Sequence, residues 1–288
     1  MKSFELHNAK SVREASSLLS KYKEKAALIA GGGDLLYMMK DQTSGPKLQP
    51  PDLLVNLQTV PGLKYIRQAA DGGLQIGAMT TIVEIEESQV VREKFPVLAQ
   101  AASQIASPQL RNMTTLGGNL CQRPRCWYFR SPLFPCIKKG GNTCFAAIGE
   151  NRDYHSVLEG GPCFVAHPSD MAPALMAMNA RVKISGPKGQ KIVPLEKFFI
   201  APRVTALKEN VLEPGELITE VQIPAAPANA KGIFVKKRIR GSWDFALASV
   251  AAMVTLKAGM VQDTRIVLGG VSTIPLRSTA AESAIKGK

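Results

Sequence analysis

The chain has 288 residues, 45% of them apolar, and a formal net charge of +13. That length can bury a large core and points to two domains, or to one with subdomains. No stretch approaches the roughly 18 consecutive apolar residues of a membrane span, and the start, MKSFELHNAKSVREAS, has acidic residues and no long apolar core, so it does not read as a signal peptide. The expected location is the cytoplasm, or export in folded form with a partner that carries the signal. The basic balance fits a solvated surface first, then an acidic partner or an anionic ligand. Lys and Arg are spread along the chain with no aromatic platform beside them, so no nucleic-acid partner is expected.

Taken in order, the first sixty residues alternate helix and strand signals. Ser11 with Glu14 three residues later predicts a capped helix start. Residues 26–30 form a short apolar run, read as a buried strand, that enters Gly31-Gly32-Gly33-Asp34, with a helical turn at 35–39. Residues 53–57 predict another strand. Residues 74–78 alternate as a strand, and helices are predicted from about 80 and from Pro96. The segment 167–170 opens a helix over 171–178, with Ser169 or Asp170 as cap. Residues 181–185 and 190–193 make a hairpin about Gly186-Pro187-Lys188-Gly189. Residues 225–230 are the linker candidate. A basic strand follows over 231–240, then an apolar segment at 246–256 read as strand or helix, and a strand at 266–271. The last residues form a helical pattern, so a C-terminal domain over 231–288 is expected to be incomplete.

Two features carry chemistry. The first is a pair of glycine segments, Gly31-Gly32-Gly33 and Gly117-Gly118. A strand running into glycines lets backbone amides approach a phosphate closely. Leu36 stands where G-x-G-x-x-G needs its third glycine, so this is no nicotinamide fingerprint, and a P-loop lysine is missing. A tight turn explains either segment equally well on its own. The second feature is a cysteine window. All five cysteines fall between Cys121 and Cys163, spaced Cys121-x4-Cys126-x9-Cys136-x7-Cys144-x18-Cys163. Close C-x2–4-C zinc pairs are nearly absent, a redox C-x-x-C is absent, and an odd count suits a disulfide framework poorly. A loop-wrapped iron–sulfur cluster, a zinc site and unligated thiols all stay open on spacing alone.

Together, AGGGDLLYMMK (30–40), TTLGGNLCQRPRCWYFR (114–130), GENRDYHSVL (149–158), HPSDMAPALMAM (167–178) and KKRIRGSWDFALASVA (236–251) resemble the FAD-binding subunit of the xanthine dehydrogenase family of molybdenum hydroxylases. The resemblance covers nearly the whole chain. It implies an α+β fold of the p-cresol methylhydroxylase/vanillyl-alcohol-oxidase type, with an FAD-binding domain over 1–224 and a separate C-terminal α+β domain. The FAD-binding domain divides at about 57 and carries the cysteine loop 121–163. It implies that Ala30, Gly31, Gly32, Gly33, Asp34, Leu35 and Leu36, with Thr115, Gly117, Gly118 and Asn119, line the FAD pyrophosphate, and that Asp170 and Lys236 contact the flavin. A subset of the family, including flavin subunits of aldehyde oxidoreductase and 4-hydroxybenzoyl-CoA reductase type, carries a 4Fe–4S cluster in such an insertion. By that match the ligands are Cys126, Cys136, Cys144 and Cys163, with Cys121 a spare thiol. Arg123, Arg125 and Arg130 would then add positive potential near the cluster.

The expected function is electron transfer within a complex. A large molybdopterin-binding subunit would turn over the substrate, a small 2Fe–2S subunit would relay electrons, and FAD with the 4Fe–4S cluster would exchange them with a small-molecule acceptor or donor. No catalytic residue is expected on this chain. A stand-alone flavin oxidoreductase is the alternative, although no substrate base or covalent flavin attachment stands out. A metal- or nucleic-acid-binding module is a third reading, marked by absence of bound flavin.

Overall fold

The computed structural model describes all 288 residues. The first unit is a small parallel sheet of β1 (Glu5–Asn8), β2 (Ala26–Ile29) and β3 (Leu53–Asn56), in the order β1-β3-β2. Its central strand buries Leu53, Leu54 and Val55 in succession, as a strand covered on both faces does. Helix α1 (Val12–Tyr22) links β1 to β2; Ser11 caps it by accepting from the Glu14 backbone N–H. Glu14 does not complete the capping box but turns to Lys10 N and His7 instead. Helix α2 (Leu35–Lys40) follows the first glycine segment.

The second unit is an antiparallel sheet, β4 (Ile66–Gln68), β5 (Leu74–Gly77), β6 (Arg181–Gly186), β7 (Gly189–Pro194) and β8 (Leu217–Ile223), ordered β4-β5-β8-β6-β7. Between β5 and β6 run α3 (Ile82–Glu87), α4 (Gln89–Lys94), α5 (Pro96–Ser103), α6 (Pro108–Met113), α7 (Leu116–Leu120), α8 (Trp127–Arg130) and α9 (Met171–Ala177). Thr81 and Glu84 form a reciprocal capping box on α3. Every residue of α9 is buried, so it sits at the centre of the second unit.

The third unit is a four-stranded antiparallel sheet, β9 (Ala230–Lys237), β10 (Ala248–Lys257), β11 (Met260–Gly269) and β12 (Leu276–Arg277), followed by α10 (Thr279–Ile285). The segment left open between strand and helix is β10. It pairs with β9 on one edge and β11 on the other, which leaves it no helical option. The hairpin turn at Ala258-Gly259 has both residues at positive φ (50° and 83°), the geometry that matches strand twist in two-residue hairpins. Residues 224–229 join β8 to β9 outside any strand or helix. Even so, Phe234, Ala251 and Val267 share one core with α9 and with Leu98 of α5. The third unit is therefore packed onto the second.

Candidate functional site

A cleft of about 850 Å³ opens where the three units and the cysteine window meet. Its floor is the first glycine segment. β2 ends at Ile29, and no acceptor within the chain takes the N–H groups of Gly31, Gly32 or Gly33. Gly32 has φ 73°, and a Cβ on Gly31 would lie 1.7 Å from the Met113 carbonyl oxygen. Glycine is required there because the segment lies flat on the backbone that leads to Thr115. The second segment is not the loop that its glycines suggest. It is the short helix α7, capped by the Thr115 hydroxyl on Gly118 N. Gly117 packs against Ala78 of the strand unit.

Ala30, Gly31, Gly32, Gly33, Asp34 and Leu35 line the cleft, as do Thr115, Gly117, Gly118, Asn119 and Asp170. Leu36 and Lys236 do not. The Leu36 side chain turns back over Gly32. Lys236, expected at the flavin, has a fully buried side chain and spends its ammonium on Asp170 Oδ2 (2.6 Å), Asp244 O (2.9 Å) and Gln104 O (3.1 Å). It stands behind Asp170 and holds that carboxylate in place. Burial pushes the Asp170 pKa up, and Lys236 opposes the shift. Asp170 stands at the N-cap position of α9 but makes no capping bond; the Ser169 hydroxyl supplies it, accepting from Ala172 N (3.1 Å) and donating to Asn119 Oδ1 (2.6 Å). One serine thereby ties α7, the second glycine-bearing wall, to α9.

Asp34 is a second anchor. Its carboxylate takes the Arg123 backbone N–H (2.7 Å), the Arg130 guanidinium (2.7 Å) and Arg125. Burial alone would raise its pKa, but Arg125 and Arg130 outweigh that and hold it below the ordinary carboxylate range. Three arginines against the carboxylates of Asp34 and, behind Arg123, Glu209 leave this wall net positive. The Nε atoms of Arg123 and Arg125, both cleft-lining, are buried and unpaired. Such a wall suits a dianion. The three arginines belong to the cysteine window and line the cleft. Arg123 and Arg130 also lie over the Phe129 ring, at 4.8 and 5.8 Å, and Arg125 lies over Phe245 at 4.6 Å.

Beyond Phe129 is a small chamber that Cys126, Cys136, Cys144 and Cys163 line together. Cys121 lines the cleft instead, and burial pushes its thiol up to about 12. The chamber is tight, with about 10 Å³ free. The thiol of Cys163 hydrogen-bonds to Cys144, which brings Cys144 down to about 6 and raises Cys163. Burial raises Cys126 to about 11. No three His, Cys, Asp or Glu side chains converge as ligands of one ion do. The loop around the chamber has only α8 and short 3-10 turns at Ile137–Lys139 and Phe145–Ala147.

Residues that the sequence did not single out complete the cleft. Tyr154, on the cysteine window, donates to Asp244 Oδ1 (2.6 Å), and its ring meets Phe245 edge-on. This pair, ninety positions apart, latches the window to the third unit. Glu209, its side chain 13% exposed, joins Arg123 (3.0 Å) and Lys138 (2.9 Å). No local pattern marks either contact.

Residues 2–226 match the family model described as the FAD binding domain in molybdopterin dehydrogenase, and 234–288 match the CO dehydrogenase flavoprotein C-terminal domain. The chain is 36% identical over 285 residues to the aldehyde oxidoreductase FAD-binding subunit PaoB of Escherichia coli K12, covering 98% of this chain and 86% of that one. It is 30% identical over 286 residues to the carbon monoxide dehydrogenase medium chain of Hydrogenophaga pseudoflava, covering 99% and 80%. A solved carbon monoxide dehydrogenase structure from H. pseudoflava superposes with a TM-score of 0.77 at 30% identity, over 100% of this chain and 81% of that one. With both family models in chain order on an α+β fold, the chain belongs to the FAD-binding subunits of the multi-subunit molybdenum hydroxylases.

Proposed function

We propose that this subunit holds FAD in the glycine-lined cleft and a 4Fe–4S cluster in the cysteine chamber, and moves electrons between a partner and an external acceptor or donor. The observation that carries the second half is the segregation of the thiols. Four of them line one water-poor chamber, and the fifth lies outside it. A cubane spreads its thiolates over separate irons, so the donor set fits without the tight convergence of a single-ion site. The Cys144–Cys163 contact would have to open, and the surrounding loop has few regular hydrogen bonds to resist that.

FAD supplies two-electron chemistry that can be divided into single steps, and a cluster supplies one-electron transfer. The chain's own residues bind and orient. The free amides of Gly31 to Gly33 and the arginine wall hold a pyrophosphate, and Asp170, backed by Lys236, presents a fixed carboxylate. Phe129 and the arginines over it separate the two sites by little more than one side chain and exclude water. As partners we propose a large molybdopterin-binding subunit and a small 2Fe–2S subunit, in keeping with the heteromeric family. We also propose the domain division at residues 224–231, which the coil there supports.

The test is flavin and iron content of anaerobically purified protein, with the cysteines replaced one at a time by alanine. Loss of iron in Cys126→Ala, Cys136→Ala, Cys144→Ala and Cys163→Ala, with iron kept in Cys121→Ala and FAD kept throughout, is the expected pattern. FAD without iron in wild-type protein that has never met oxygen would sink the cluster reading and leave an ordinary flavin subunit.

A further inference from the structure

The third unit carries a surface stripe that the cleft does not account for. On β9, Lys231, Ile233, Val235 and Lys237 alternate on the face opposite Phe234, which is in the core. Val235 and Ile233 pair with Val250 and Ala252 of β10. Past the strand the stripe continues through Ile239, Arg240 and Trp243, and the last two line the cleft. Ile233, Val235, Ile239 and Trp243 are each more than half exposed. Trp243 is held in a left-handed conformation (φ 52°), which a bulky residue seldom adopts. Its N–H donates to Ala106 O (3.2 Å), and the Arg240 guanidinium lies over its ring at 5.4 Å. Between Lys231 and Leu247 the sequence has five cations and one carboxylate, Asp244. That carboxylate is buried and accepts from Tyr154 and Phe245 N. Lys236 faces inward to Asp170, but Lys231, Lys237, Arg238 and Arg240 make no ion pair.

Exposed apolar side chains set among uncompensated cations mark a docking surface, and the cations state the charge of what docks there. Permanent interfaces are large, apolar and poor in charge at their centre, whereas redox encounters are small and guided by charge. This stripe is of the second kind. Its Trp and Arg, at the cleft edge, are the residue types that anchor interfaces. We propose that the stripe is the docking surface for an acidic one-electron carrier protein, which exchanges electrons with the FAD of the cleft. The inference rests on the FAD half of the reading above and names its external partner. Because the stripe ends on cleft-lining residues, a carrier seated on it sits at the cleft edge. Two carrier molecules move one electron each per FAD, and the two protons of that couple are exchanged with solvent.

The experiment is stopped-flow reduction of the FAD-loaded chain by a photoreduced plant-type 2Fe–2S ferredoxin, used as the acidic carrier. The second-order rate constant should fall as salt is raised, and at low salt it should fall about fivefold in Lys237→Glu and in Lys231→Glu. Lys188→Glu, the same charge change in the turn between β6 and β7, should leave it unchanged. Val235→Ser should slow reduction at every salt concentration. Reduction by the photogenerated deazariboflavin radical, a small uncharged donor, should be the same in all of these proteins. A carrier rate that ignores salt, that falls as far in Lys188→Glu as in Lys237→Glu, or that Val235→Ser does not alter overturns the proposal. So does loss of co-purifying partner subunits in Lys237→Glu, a wild-type dimer that Val235→Ser dissolves, or salt-sensitive sedimentation with phosphatidylglycerol vesicles in place of reduction by the carrier. These assign the stripe to the complex's own interface, to a second copy or to a membrane surface. Should Lys237→Glu fail to fold, Lys231→Glu and the wild-type salt dependence decide. Wild-type protein that binds no FAD overturns the FAD reading and this proposal with it. FAD-loaded protein that the radical reduces and the carrier does not overturns this proposal alone.

Discussion

At the scale of single residues, Asp34 and Gly31 decide most. Asp34→Asn keeps the shape but leaves Arg125 and Arg130 without an anion, so a cost of about 1–3 kcal/mol is expected. The pH dependence follows from the direction of the shift. The folded-state pKa of Asp34 lies below its unfolded value, which is about 3.9. Its stabilising contribution is therefore complete above that value and disappears as pH falls through the folded pKa. Urea midpoints from pH 6 to pH 3 should show wild type and Asp34→Asn converging as the medium becomes acid; a gap that stays constant would separate Asp34 from the acid transition. At Gly31 a methyl group would meet the Met113 carbonyl head-on. Gly31→Ala is expected to lose FAD on gel filtration and to be destabilised by about 1–3 kcal/mol. Gly31 to Gly33 are legible in sequence as a glycine segment that closes a strand, but the approach to Met113 that demands glycine at 31 is not. Nor is the role of Lys236: sequence shows a basic residue on an alternating strand, but not that Asp170, Gln104 and Asp244 exhaust its donors.

At the scale of elements, periodicity identified the strands and helices that carry their own signal, such as α1 with its Ser11 cap and α5 behind Pro96. It failed where three-dimensional pairing decides. β10 reads as helix or strand until both neighbours are in place, and Gly117-Gly118 reads as a loop until Thr115 caps it into α7. The cap of α9 is a related case. Ser169 and Asp170 both suit the role by type, but the structure gives it to Ser169 and gives Asp170 to Lys236. The two substitutions should therefore differ in kind. Ser169→Ala removes a cap and a tie to Asn119, for about 1 kcal/mol in a thermal melt, with FAD retained. Asp170→Ala leaves a buried ammonium unpaired, about 3–5 kcal/mol. Equal losses in the two variants would count against this division of labour.

At the scale of the whole molecule, the cleft is the joint. Its walls come from the first sheet, from α7 and Asp170 of the second unit, from the cysteine window through Arg123 and Tyr154, and from the third unit through Asp244 and Phe245. None of these long-range meetings leaves a local mark in sequence, which is why the latch from Tyr154 to Asp244 went unread. A ligand held by every unit stabilises the molecule as one body. FAD at a hundred times its dissociation constant should add about 2.7 kcal/mol, which for a chain of this size raises the melting midpoint by roughly 4–5 °C. The shared core of α9, Phe234, Ala251 and Val267 requires that the second and third units melt together, so a single transition should move upward as flavin is titrated. Tyr154→Phe cuts only the hydrogen bond to Asp244. It should weaken FAD binding and shrink that shift while leaving the flavin-free midpoint within about 1 kcal/mol of wild type. Two separate transitions, with only one responding to flavin, would mean that the third unit does not share in the site despite its seat at the rim.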